Sequence, residues 1–162
     1  MMRFALYGHA IMRGTERFTP RFHECRCLAA AEELTAPHGS IVARYFDLDR
    51  EQQPGTSRRG RPTWDQCPQA RALTQAVGTD LFDAVVIPEL NRHTFHGVTL
   101  WDFNAYLRLH GKQLWTLGTA GPVDPTNPTH VLYLLLFAGV AAPSPPVCPQ
   151  HITDCGKDGD AR

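Results

Sequence analysis

Glu89, Asn91, Arg92 and His93 are the residues whose types and spacing best suit holding or moving charge on a ligand. They follow an apolar run, Phe82, Ala84, Val85, Val86 and Ile87, after which Pro88 withdraws a backbone donor and ends the ladder. An unbroken run of that kind suits a strand covered on both faces, in the middle of a parallel sheet. Ligands of open α/β sheets bind at the carboxyl ends of such strands. There the planar fork of Arg92 can grip a phosphate. The plain alternative is a surface arginine paired with Glu89 or Asp83.

Other candidate groups are thinner. Arg58, Arg59 and Arg61 stand close enough to track a nucleic-acid backbone, or simply to form a solvated loop. His9 offers an imidazole that is charged part of the time. Thr15 carries a hydroxyl, but no base or arginine cluster stands beside it to activate it. His93 and His96 alone are too few for a metal site. Cys148, His151 and Cys155 crowd together near the end of the chain, with Asp154 as a fourth donor, yet a frayed tail explains them more simply than a closed zinc site. No metal and no cofactor are expected.

These residues need elements to position them. Apolar patterning predicts strands near residues 3–10, 40–46, 81–88 and 113–117. Residues 8–11 read as the start of the loop behind the first strand. Thr19-Pro20 predicts a helix start, with Thr19 as cap and Pro20 in the first position; Pro37 to Gly39 stops that helix. Residues 64–77 read as a second helix with Gly78 as its C-terminal cap, and residues 100–109 as an amphipathic third closed by His110-Gly111. Residues 129–142 form a short, almost wholly apolar helix cut off by Pro143. The charged, unpatterned residues 47–62 read as a long loop. Strands alternating with helices give a three-layer α/β domain over residues 1–142, with a mostly parallel central sheet of four or five strands and helices on both faces. Residues 143–162 read as a disordered, Pro-rich tail.

Composition narrows the class. The 162 residues suffice for one domain with a real core. Sixteen Lys+Arg balance sixteen Asp+Glu, so no global positive field advertises nucleic-acid binding. Five cysteines, with no CxxC pair and no signal peptide, argue against a secreted disulfide scaffold. The greasiest run is far shorter than the roughly 20 residues of a membrane span. A bacterial-type cytoplasm is the expected compartment.

The order of motifs resembles the catalytic domain of serine recombinases of the resolvase/invertase type. Residues 3–10 resemble the family's first strand, which ends in Tyr-x-Arg-x-Ser. Tyr45-Phe46-Asp47 followed by Arg61-Pro62 resembles Tyr-x-Asp, a mobile loop and Arg-Pro-Gly. Phe82-Asp83-Ala84-Val85-Val86 and Leu90-Asn91-Arg92 resemble Phe-Asp-x-Val-Val and Leu-Asp-Arg-Leu-x-Arg. Gly121 to Asp124, then residues 128–142, resemble the loop and the start of the family's long dimerisation helix. The resemblance implies a further edge strand near residues 119–123. It also implies DNA strand exchange through a phosphoserine intermediate, in which a hydroxyl attacks a phosphodiester and arginines stabilise the transferring phosphate.

The chemistry does not carry over residue by residue. The serine position is Ile11, the arginine two before it is His9, the aspartate of Leu-Asp-Arg is Asn91 and the second arginine of that motif is Phe95. No catalytic set is intact. Arg61 and Arg92 stand where family arginines stand and are the expected DNA-phosphate contacts. The reading is a catalytically inactive recombinase relative with weak residual DNA binding, whose homodimer is weakened by Pro143. Alternatives are a protein-interaction or regulatory domain, suggested by the apolar helix, and a small phosphate- or nucleotide-binding α/β protein, although GxGxxG and P-loop motifs are missing.

Overall fold

The computed structural model describes residues 1–12, 19–50, 62–90 and 97–137 of the chain. Its strands are β1 (Met2–Met12), β2 (Gly39–Arg50), β3 (Ala84–Ile87), β4 (Gln113–Thr116) and β5 (Gly121–Pro122). Its helices are α1 (Pro20–Thr35), α2 (Pro68–Val77), α3 (Leu100–Leu109) and α4 (Pro128–Phe137). The sheet order is β2-β1-β3-β4-β5. Every neighbouring pair is parallel except β4 with the short edge strand β5. This is the three-layer α/β architecture expected from the patterning, and β5 is the edge strand that the resemblance implied.

All four residues of β3 are buried, and alternation sends them to two cores. Ala84 and Val86 join Phe4, Leu6, Cys27, Ala31 and Trp115 under α1. Val85 and Ile87 join Tyr7, Leu73, Leu107 and Leu134 under α2, α3 and α4. Each such Val or Ile withdrawn from water contributes about 1.5–3 kcal/mol.

Helix starts follow local chemistry. The Thr19 hydroxyl accepts from the Phe22 amide at 3.3 Å, and Pro20, with no amide to leave unpaired, opens α1. Thr99 caps α3 by accepting from the Asp102 amide at 3.0 Å. Gly111, at φ 68°, follows its end. The second helix begins at Pro68 rather than at 64, because Trp64–Gln66 forms a separate 3-10 turn and Pro68 suits the first helical position. Gly78 ends α2 at φ −72°, without the left-handed conformation.

Two strands run longer than the patterning suggested. β1 continues through Met12 and β2 through Arg50, paired in register as far as Met12 and Arg50. His9 and Ile11 are therefore strand residues, not loop residues. The pairing breaks once: Phe4 faces Ile41 and Ala5 faces Ala43, so Val42 is an extra, exposed residue. That bulge turns Ala43 and Tyr45 to the α2 side while Ile41 stays on the α1 side. Close by, α1 lies so near β1 that a Cβ on Gly8 would come within 2.6 Å of the Phe46 ring and 2.7 Å of the Cys27 sulfur.

The amino end of the sheet is clamped by Asp83, which accepts from the Arg3 amide at 2.8 Å and from its guanidinium at 2.7 Å. These bonds lower the Asp83 carboxyl from 3.8 to about 2. A depressed value means stabilisation present above the ordinary carboxylate range and lost as pH falls towards 2. In urea melts, Asp83→Asn is expected to flatten the acid-side loss of stability between those two values; an unchanged acid slope would count against the clamp. Nearby, the buried Lys112 ammonium donates to the carbonyls of Phe82 (2.6 Å) and Thr79 (2.9 Å).

The predicted continuation of α4 to residue 142 and the tail at 143–162 lie outside the described residues. Among the described residues no helix is long and apolar enough to cross a membrane.

Candidate functional site at the carboxyl end of β1 and β2

β1 and β2 extend as a two-stranded ribbon beyond the residues where β1 pairs with β3. Successive strand residues alternate faces, so Tyr7, His9 and Ile11 share one face of β1. The bulge at Val42 brings Tyr45, Asp47 and Asp49 to the same face of β2. Two diagonal polar pairs result. The Tyr7 hydroxyl donates to Asp47 at 3.2 Å, and His9 Nε2 lies 3.0 Å from Asp49 Oδ2.

Asp47 is buried and fully employed. Besides Tyr7, it accepts from the backbone amides of Gln69 (3.0 Å) and Ala70 (2.8 Å) in the first turn of α2. Those amides have no partner inside the helix, and the helix dipole favours a negative charge beside them. The carboxylate thus ties the end of β2 to the start of α2. Burial and the neighbouring Asp47 push the Tyr7 phenol well above its ordinary range, which makes it a donor and not a nucleophile. Burial, followed by Asp47, Asp49 and Asp65, pushes the Cys67 thiol up to about 11. Burial, followed by Glu89, pushes Cys27 up to about 12. Neither thiol is an activated nucleophile.

His9 is the second buried polar group. Its side chain is 2 % exposed against 26 % for Asp49, and its Nδ1 has no hydrogen-bond partner among the described residues. Ile11 lies opposite Asp49 in the ladder and presents only hydrocarbon. At the end of β3, Glu89 pairs with Arg26 of α1 at 2.8 Å. The two carboxylates considered as partners of Arg92 are thus engaged elsewhere, Glu89 by Arg26 and Asp83 by Arg3.

Of the predicted site residues, the structure brings His9 and Ile11 together on one strand face. Arg61, Asn91, Arg92 and Phe95 lie outside the described residues, as do Thr15, Arg58, Arg59, His93, His96 and the cysteines and histidine of the tail. Among the described residues no group of three or more His, Cys, Asp or Glu is placed to hold a metal ion. Sequence reading missed the pairing of Tyr7 with Asp47 and of His9 with Asp49. A signal was there: Tyr45, Asp47 and Asp49 recur at every second residue, continuing the strand period into what read as a loop.

No family model and no curated protein matches the chain. Among solved structures, the chain is similar to the N-terminal catalytic domain of TP901-1 integrase, with a TM-score of 0.50 and 15 % identity, over 83 % of this chain and 90 % of that one. It also aligns with the C-terminal catalytic domain of ISC1926 TnpA, an IS607-like serine recombinase, with a TM-score of 0.48 and 12 % identity, over 83 % and 78 %. The five-stranded order, the covered central strand and the first of these matches agree: the chain has the fold of a serine-recombinase catalytic domain.

Proposed function

We propose that this chain is a recombinase-like domain that contacts DNA phosphates weakly through Arg61 and Arg92 and makes no covalent link to DNA. The observation that carries this reading is Ile11. Strand transfer through a protein–DNA ester needs an oxygen nucleophile, and the side chain at the corresponding place, on the strand face shared with Tyr7 and His9, is a hydrocarbon. The residues around it do not replace the lost oxygen. The Tyr7 phenol is committed to Asp47, and the Cys67 thiol is held protonated.

Two measurements test the two halves. A suicide DNA substrate is expected to yield no covalent adduct; an adduct mapped to any residue sinks the inactive half. Titration of duplex DNA at increasing salt is expected to show weak binding with a log–log slope of about −2, for two released phosphate contacts. Replacing both Arg61 and Arg92 by Ala should abolish that slope, and an unaltered slope removes them as the contacts.

A second reading, a protein-interaction domain, draws on α4. Leu132, Leu135 and Leu136 are exposed at three- and four-residue spacing, a stripe that suits a partner helix or a second copy of the chain.

A further inference from the structure

We infer that His130 is a pH-sensitive latch on α4: its neutral imidazole holds the amide of Asp124, and protonation breaks that hold and loosens the start of the helix. The Asp124 amide donates to His130 Nδ1 at 3.0 Å. A ring nitrogen that accepts a hydrogen bond carries no proton, so this geometry requires a neutral ring with its hydrogen on Nε2. The surrounding bonds are more local. Asp124 Oδ1 accepts from the Thr126 amide at 2.8 Å and hydroxyl at 2.7 Å, and Asn127 Oδ1 accepts from the Thr129 amide at 2.9 Å. The His130 bond reaches back across the whole turn, from the first turn of α4 to the loop behind β5. Beyond it, α4 is seated by Leu134, fully buried in the core, and by Tyr133, whose ring lies so close to Gly118 that a Cβ there would collide with it.

The groups facing this turn leave His130 as the one that titrates in mild acid. α4 packs on α3 and on the 3-10 turn Leu117–Thr119, and that turn carries no titratable side chain. On α3, Asp102 accepts from the Thr99 hydroxyl at 2.6 Å. Tyr106 and His110 stack on each other, with the Tyr106 hydroxyl on Thr74 of α2. Burial raises the Tyr133 phenol, away from the acid range. Hydrogen bonds from Thr126 hold the Asp124 carboxylate below its ordinary range, and Arg108 also acts on it, so it stays charged where imidazoles titrate. It attracts a charged His130 ring, but that attraction returns no acceptor to the amide. The dipole of α4 opposes a positive charge in its first turn. The bond therefore holds while the ring is neutral and is lost as pH falls through the imidazole range.

Amide hydrogen exchange of the full chain tests this at about pH 7.5 and about pH 5.5, either side of that range, with intrinsic rates corrected and the amides of β3 as internal reference. The opening constant of α4 should rise about fivefold in acid relative to β3, the effect of losing one hydrogen bond. His130→Asn places an oxygen acceptor near the position of Nδ1 and cannot titrate, so its α4 should stay closed at both values. His130→Ala removes the acceptor, and its α4 should be as open at both values as the wild type is in acid. Equal α4 opening of the wild type at both values overturns the inference, as does a wild-type pH response that survives in either variant.

Discussion

Replacing Asp47 by Ala is expected to lower unfolding stability by about 3–4 kcal/mol. The substitution removes an anion that serves as a cap for α2, worth about 1–2 kcal/mol. It also strands the Tyr7 hydroxyl and two helix amides in a buried place, and an unsatisfied buried donor costs about 1–3 kcal/mol. Loss of the bridge between β2 and α2 should lower the melting temperature by roughly 10–15 °C for a domain of this size. Asp47→Asn keeps one acceptor but turns an amide nitrogen towards donors, so about half the loss is expected. Urea melts with unchanged m values check this. A loss below about 1 kcal/mol for the alanine variant would mean that water replaces the carboxylate, and that Asp47 does not hold the end of β2 to α2.

Trp64→Ala should cost about 3–5 kcal/mol, the range for emptying a buried aromatic site. Trp64 is buried where three elements meet. Its ring lies 4.8 Å from that of Tyr7 on β1 and 5.0 Å from that of Phe103 on α3. Its indole nitrogen donates to Thr74 on α2 at 3.0 Å. Because a domain's total stability is about 5–15 kcal/mol, the alanine variant should sit close to its unfolding threshold at room temperature. Trp64→Phe keeps most of the packing and loses the donor, for about 1 kcal/mol. Denaturant midpoints with near-ultraviolet dichroism read both. Equal losses for the two variants would put the energy in the hydrogen bond instead of the ring.

These two residues also show how far the chain can be read in one dimension. Trp64 is visible as an aromatic residue near a helix start. That it stands in a separate 3-10 turn and joins β1 to α3 depends on residues far away in sequence. Asp47 reads as the first residue of a charged loop, because a carboxylate ends most apolar strand patterns. Its burial is worthwhile only with the α2 amides in place, more than twenty residues on. Misreading that loop also ended the first strand short of Ile11, since the length of β1 is set by its pairing with β2.

The sequence by itself determined the alternation of strands and helices, the covered strand ending at Pro88, the cap at Thr19, and the hydrocarbon at position 11. All of these follow from side-chain type and spacing over a few residues, where the physics is local. The tertiary structure alone decided which polar groups meet. One extra residue at Val42 reverses the facing of β2, because side chains alternate with a period of two and a single insertion exchanges the faces. Only after that reversal do Asp47 and Asp49 face Tyr7 and His9; the alternation of Tyr45, Asp47 and Asp49 extends the strand but does not say which face of β1 they meet.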